Sequence, residues 1–258
     1  MQTIEKLYRN NYTGETLITT MTWENSQWNM TKEAVPNRVI NNQISNRAVV
    51  IGNGPSRLEL YPQGDLLKIL KNHCGGLLAS GAVQTYACNA IYRDYLYDET
   101  RDYTPDFLVC SNDMAEELVN SGYCDRNIVY GSSDAVLNYP GKFYLTPQNP
   151  PYNAGAVAAY LACFDGHKQV YLIGHDCHSN ELFSNYNVYA GSKNYPGFDS
   201  PNTEQYFILS LKTIMTVYND VEFVRVMPTA EWSIPEAWQY LVNFRQVDFN
   251  AFVREIDL

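Results

Sequence analysis

The chain has 258 residues, 45% of them hydrophobic, with 18 basic and 28 acidic side chains and a formal net charge of −10. That length suits one α/β domain with a substantial core. The acidic balance argues against nucleic-acid binding, which needs a basic footprint, and the apolar runs are too short to span a bilayer.

Residues 1–46 are rich in Asn and Thr with scattered aromatics (Tyr8, Tyr12, Trp23, Trp28). They read as an N-terminal extension of short strands or an extended arm, packed on a main domain over 47–258. Residues 1–30 hold no central apolar block, so no secretory signal is expected and the expected location is cytoplasmic. Arg47–Gly52 is the first strand of the main domain. It stops at Gly52-Asn53-Gly54-Pro55-Ser56, and an apolar helical pattern follows over Leu58–Leu70. Further strands are expected at Gln84–Cys88, Asp106–Cys110 and Asn127–Tyr130, with a short helix at Met114–Asn120 between the last two. Prolines 140, 147, 150 and 151 make Leu137–Tyr152 a loop. Asn153-Ala154-Gly155 opens a small-residue helix, Ala156–Phe164, and Gln169–Ile173 is the next strand, ending at Gly174-His175-Asp176. Residues 177–201 are polar, aromatic and punctuated by Gly and Pro, a lid-like loop. A helix at Thr203–Tyr218, a strand at Val221–Val226 and a helical run at Pro235–Phe244 complete the chain. This alternation predicts a Rossmann-like α/β fold: a mostly parallel sheet with helices on both faces, plus the N-terminal arm and the lid.

The Gly-Asn-Gly-Pro-Ser junction is suited to anion binding. Gly52 and Gly54 permit positive φ and close approach of a ligand, Pro55 fits the first turn of a helix, and Ser56 adds a hydroxyl donor at the dipole's positive end. Asn53, Asn89, Asn112, Ser132 and Asp176 each fall at or just past the end of an expected strand, and Asn153 and Gly155 open a helix near the same edge. Ligands bind at that edge of open α/β sheets. A ring of amides, hydroxyls and helix N-termini holds phosphate, ribose and a base edge without any lysine.

The six cysteines form no CxxC pair. Cys88, Cys110 and Cys163 lie in apolar runs and read as core residues, and neither a zinc site nor a disulfide framework is expected. His175-Asp176-Cys177-His178 is the densest reactive cluster. On an extended segment Asp176 and His178 share one face, so the carboxylate orients an imidazole that serves as general acid or base. Asp199 is the second candidate base. His73 and His167, beside glycine turns, are expected at the surface.

Gly52-Asn53-Gly54-Pro55-Ser56, Cys88-Asn89-Ala90-Ile91-Tyr92, Cys110-Ser111-Asn112, Asn153-Ala154-Gly155 and Tyr171-Leu172-Ile173-Gly174-His175-Asp176 occur in the order seen in bacterial family 42 sialyltransferases, which residues 47–217 resemble. The resemblance implies a Rossmann-like enzyme that transfers a sugar from a CMP-activated donor. It places Asn53, Asn89 and Asn112 around the cytidine nucleotide and Ser56 beside the phosphate. Asn153, Ala154 and Gly155 match the family's nucleotide-binding Thr/Ser-Ser-Gly segment, and Asp176 matches an acidic residue at a strand end. His178, Tyr186 and Tyr189 stand where the family has phosphate-binding tyrosines. The family's general-base histidine has no counterpart in Gly197–Glu204, where Phe198 or Asp199 takes its place. The same turn and Gly-x-Asp strand end also resemble the archaeal 6-hydroxymethylpterin diphosphokinase-like proteins.

The expected function is therefore glycosyl transfer from a nucleotide-sugar donor to a glycan or small-molecule acceptor, with no cofactor and no metal. One alternative is a Mg2+-dependent diphosphoryl transferase, with Asp176 and substrate phosphates holding the ion. Another is a noncatalytic nucleotide-fold module. A homo-oligomer is compatible with the tyrosine-rich composition.

Overall fold

The computed structural model describes residues 2–9, 16–35, 47–60, 83–96, 103–177, 187–195, 201–229 and 231–256. Strands β1 (Gln2–Arg9), β2 (Thr16–Glu24) and β3 (Gln27–Val35) form an antiparallel three-stranded sheet. Asn25 and Ser26 join β2 to β3 with φ of 52° and 62°. Two successive positive φ values match the twist of a two-residue hairpin.

The second sheet follows in the order β4 (Arg47–Ile51), α1 (Ser56–Leu60), β5 (Gln84–Cys88), a 3₁₀ helix (Asn89–Tyr95), β6 (Phe107–Val109), α2 (Asn112–Asn120), β7 (Val129–Gly131), α3 (Ser133–Asn138) and β8 (Tyr144–Leu145). It continues through α4 (Ala154–Phe164), β9 (Gln169–Ile173), α5 (Pro201–Val217), β10 (Glu222–Met227), β11 (Phe244–Asp248) and α6 (Phe249–Glu255). Its eight strands are all parallel, in the order β11-β10-β9-β4-β5-β6-β7-β8. β1 of the small sheet contacts the edge strand β8.

Continuous apolar strands make this sheet parallel and two-sided. In β4, Ala48 and Val50 pack with α4 and α5, while Val49 and Ile51 pack with the 3₁₀ helix, α2 and α6. Helix α4 is buried along its length except at Gly155, and its alanines let it lie close to the sheet. From β4 the chain steps outward through β5 to β8, then returns across the sheet to β9 on β4's other side. The ends of β4 and β9 therefore diverge at a topological switch point, where open α/β sheets leave a crevice.

Two elements and one residue differ from expectation. Leu137–Tyr152 is not entirely loop: Tyr144 and Leu145 pair with Tyr130 and Gly131 as an edge strand too short to show as a pattern. Pro235–Phe244 is helical only at Glu236–Trp238, a 3₁₀ turn, and Phe244 begins β11. This edge strand is half-buried at every position, so it carries no apolar alternation, and Arg245 ties it to Glu222 and Glu255. His167 is fully buried, not on the surface. Its Nε2 lies 3.0 Å from Gln84 Oε1 and 3.1 Å from the Tyr86 hydroxyl, which donates to Asp165 at 2.7 Å. Residues 61–70 of the expected first helix, and His73, lie outside the described residues. Cys88, Cys110 and Cys163 are free and buried.

Candidate functional site

The loops after β4 and β9 meet backbone to backbone. Gly52 N donates to Ile173 O at 2.8 Å, and Gly54 N donates to Gly174 O at 2.8 Å. A Cβ on Gly52 would stand 2.5 Å from Gly174 O, and one on Gly54 would stand 2.6 Å from both Gly174 O and Asp176 Oδ1. The turn thus needs these glycines for close approach. The positive φ expected there belongs instead to Gly174 across the junction, at 69°.

This junction also engages the donors that a phosphate would use. Ser56 N donates to Asp176 Oδ2 at 2.9 Å, and the Ser56 hydroxyl donates to Asp176 Oδ1. The carboxylate of Asp176 caps α1, the favourable place for a negative charge at a helix start. Ser56 is fully buried behind it.

At the switch point lies a cavity of 240 Å³. Gly52, Asn53 and Gly54 border it from the end of β4, Cys88 and Asn89 from the end of β5, and Asn153, Ala154 and Gly155 from the start of α4. The β9 loop adds Gly174 to Cys177, the 187–195 segment adds Asn187, Asn194 and Tyr195, and α5 adds Phe207 and Leu211. No lysine or arginine is among these residues. At the strand ends and the start of α4 the lining is polar and neutral apart from Asp176, and Tyr195, Phe207 and Leu211 add aromatic and aliphatic surface.

Three buried polar atoms of the lining have no hydrogen-bond partner among the described residues: Asn53 Oδ1, Asn153 Nδ2 and His175 Nε2. Their identities follow from their neighbours. Asn153 Oδ1 accepts from Ala156 N at 2.9 Å as the N-cap of α4, which leaves the amide nitrogen over. Asn53 Nδ2 reaches Cys88 O at 3.4 Å, which leaves the carbonyl oxygen. An unsatisfied buried polar group costs about 1–3 kcal/mol, and three such atoms belong to residues around this one cavity. Asn89 also borders the cavity. Its φ is 51°, and its Oδ1 accepts from Ser111 N at 2.8 Å, tying the end of β5 to that of β6.

Burial, reinforced by the positive charge of Arg225, pushes His175 down to about 4, so its imidazole is neutral at neutral pH. Arg225 is itself fully buried on β10. Its Nε donates to His175 O at 3.1 Å and one terminal nitrogen donates to Asp176 O, while the other reaches Ser233 O and Gln246 Oε1, both at 3.0 Å. The guanidinium lies 5.6 Å from the centre of the Trp238 ring.

The structure brings Gly52, Asn53, Gly54, Asn89, Asn153, Ala154, Gly155 and Asp176 together at this cavity. It does not bring Asn112 there. That amide accepts from the Ser132 hydroxyl and donates to Asp134 at 3.2 Å, at the ends of β6 and β7. Tyr189 is buried away from the cavity. Its hydroxyl donates to Asp94 Oδ1 at 2.7 Å and accepts from Arg57 at 2.9 Å, and Arg57 pairs with Asp94 at 2.8 Å. His178, Tyr186 and Asp199 lie outside the described residues. Cys177 has φ of 60°, so the chain is not extended there, and the expected pairing of Asp176 with His178 reaches outside the described residues. His175, Asp176 and Cys177 all border the cavity.

Sequence reasoning missed Tyr195, Asn187, Asn194, Phe207 and Leu211, which come from segments distant in sequence. The 187–195 segment is held in place along its length. Val188 N donates to Asn53 O at 2.8 Å, and Arg93 donates to the Ser192 hydroxyl at 2.7 Å and Lys193 O at 2.9 Å. Glu117 receives Asn194 at 2.9 Å and Arg93 at 2.7 Å. Among the described residues no cluster of three His, Cys, Asp or Glu side chains is disposed to hold a metal, and no helix is long and apolar enough to cross a membrane. Comparison with protein-family models, curated proteins and solved structures finds no match.

Proposed function

We propose that the switch-point cavity binds a nucleotide-activated sugar, CMP-linked, and that the protein is a glycosyltransferase-like enzyme serving a glycan or small-molecule acceptor. The observation that carries this reading is the set of unpartnered atoms, Asn53 Oδ1, Asn153 Nδ2 and His175 Nε2, around a cavity at the β4–β9 switch point. The cytidine nucleotide and the sugar rest on the motif resemblance.

In this reading Asn53 Oδ1 accepts from an N–H or O–H of the donor, and Asn153 Nδ2 donates to an acceptor atom beside it. The Gly-Asn-Gly-Pro-Ser turn does not take the phosphate in this reading, because Asp176 occupies the Ser56 donors and the carbonyls of Ile173 and Gly174 occupy Gly52 N and Gly54 N. The first turn of α4, at Ala154 and Gly155, offers the remaining N–H groups at this edge. Transfer breaks the bond between the anomeric carbon and the phosphate oxygen, releases CMP, and forms a bond to the acceptor oxygen. His178 or Asp199 takes the acceptor's proton. The alternative, Mg2+-dependent diphosphoryl transfer, would draw on Asp176 as ligand, through lone pairs not used in accepting from Ser56.

Thermal-shift and calorimetric titration with CMP, UMP, GMP and AMP, with and without Mg2+, tests the reading. A ligand at about a hundred times its dissociation constant adds roughly 2.7 kcal/mol. The expected result is a metal-independent response to CMP that Asn53→Ala weakens about tenfold or more. No response to any of the four overturns the reading. CMP binding without turnover of CMP-sugars makes the chain a binding module.

A further inference from the structure

His175 was not among the nucleotide-binding residues expected from sequence, yet its buried side chain borders the cavity. The residue is 7% exposed, and its Nε2 has no partner among the described residues. Its ring position is set by two glycines. Cδ2 lies 3.2 Å from where a Gly52 Cβ would stand, and Cε1 lies 3.4 Å from that of Gly155. Nε2 joins those two carbons, so it faces the junction of β4 and α4, where Asn53 and Asn153 also stand. The backbone is equally fixed, by Arg225 on the carbonyls of His175 and Asp176 and by the positive φ of Gly174 and Cys177.

We infer that His175 contacts the bound ligand through Nε2 and selects an uncharged hydrogen-bonding edge, the base or ribose of a nucleotide rather than its phosphate. This rests on the nucleotide reading above. Three observations set the preference. Among the described residues no lysine or arginine borders the cavity, the Asp176 carboxylate stands in its lining, and the buried imidazole is neutral. Beside Asp176 a phosphate would find no countercharge, which leaves it the N–H groups of the first turn of α4, whereas a heterocycle or ribose offers the donor that Asn53 Oδ1 lacks and the acceptor that Asn153 Nδ2 lacks. Tyr195 and Phe207 supply flat apolar surface for a ring.

Calorimetric titration of wild type and His175→Phe with cytidine and with CMP, alongside ligand-free unfolding of both, tests this. His175→Phe should lose about tenfold or more in affinity for cytidine and CMP alike. Its ligand-free stability should hold or rise, because an apolar ring removes an unsatisfied nitrogen. Unchanged affinity in His175→Phe overturns the inference while leaving the nucleotide reading standing. Wild type that binds neither compound overturns both. If the variant fails to fold, the nitrogen-15 resonance of His175 Nε2 in wild type decides. A shift on saturation with cytidine supports the contact, and an unmoved resonance overturns it.

Discussion

At Gly52 and Gly54 the absence of a side chain lets two backbones touch at the switch point. Gly54→Ala would place a Cβ 2.6 Å from Gly174 O and from Asp176 Oδ1, and only a shift of backbone relieves the first of these contacts. Such overpacking costs about 1–3 kcal/mol, and urea unfolding of the ligand-free protein should read a loss at the upper end of that range. A loss within about 0.5 kcal/mol, the scatter of ordinary surface changes, would mean that the loops part freely. Gly141 is the control: a Cβ there meets nothing within 4 Å, so only its φ of 77° resists a side chain and a smaller loss is expected. Asp176 is a strut at this junction before it is anything else. Asp176→Asn keeps the shape but removes the charge that holds Ser56 and caps α1, and should cost about 1–3 kcal/mol of ligand-free stability. Unaltered stability would return Asp176 to the list of groups free for chemistry.

Among the elements, the 187–195 segment decides how the cavity is walled. It carries Asn187, Asn194 and Tyr195 to the site, and Tyr189 anchors it from below through Arg57 and Asp94. Tyr189→Phe removes both hydroxyl bonds in a buried place and should cost about 1–3 kcal/mol. Limited proteolysis should then cut within 187–195 faster than in wild type, and equal cleavage rates would show that Arg93 and Glu117 suffice to hold it. The edge strand β11 responds differently. Arg245 is about a third exposed and its partners Glu222 and Glu255 similarly so, so Arg245→Met should cost less than about 1 kcal/mol in the same unfolding measurement. Elements with a strong local signature were legible in sequence. Apolar runs marked β4, β5 and β9, and an alanine-rich run marked α4. β8 and β11 were not legible, because a two-residue strand and a half-buried polar edge strand owe their conformation to a neighbouring strand rather than to their own pattern.

For the whole molecule, pH should expose the buried His175. His175 has its pKa lowered from 6.5 to about 4. Between those values the unfolded chain binds a proton that the folded chain does not, so stability falls as pH drops from about 6.5 to 4 and levels off below. At about 1.36 kcal/mol per pH unit the loss approaches roughly 3 kcal/mol. Hydrogen bonds from Arg245 hold Glu222 and Glu255 below the ordinary glutamate range, and their contribution is lost lower still, from about pH 4.5 downward. Denaturation at a series of pH values should show the histidine component in wild type and its disappearance in His175→Phe. By itself the sequence determined the α/β class, the order of the main strands and helices, and the chain positions that end at one edge of the sheet. These follow from local periodicity and from residues whose backbone preferences act within a few positions. Only the tertiary structure decided which of those positions share a cavity. Asn53, Asn89 and Asn153 converge while Asn112 does not, because convergence depends on strand order and on the β4–β9 switch point. It also decided that Asp176 takes the Ser56 donors of the glycine turn and that His175 Nε2 is left without a partner beside the cavity. Hydrogen-bond satisfaction of this kind is settled between segments more than a hundred residues apart, which no spacing along the chain records.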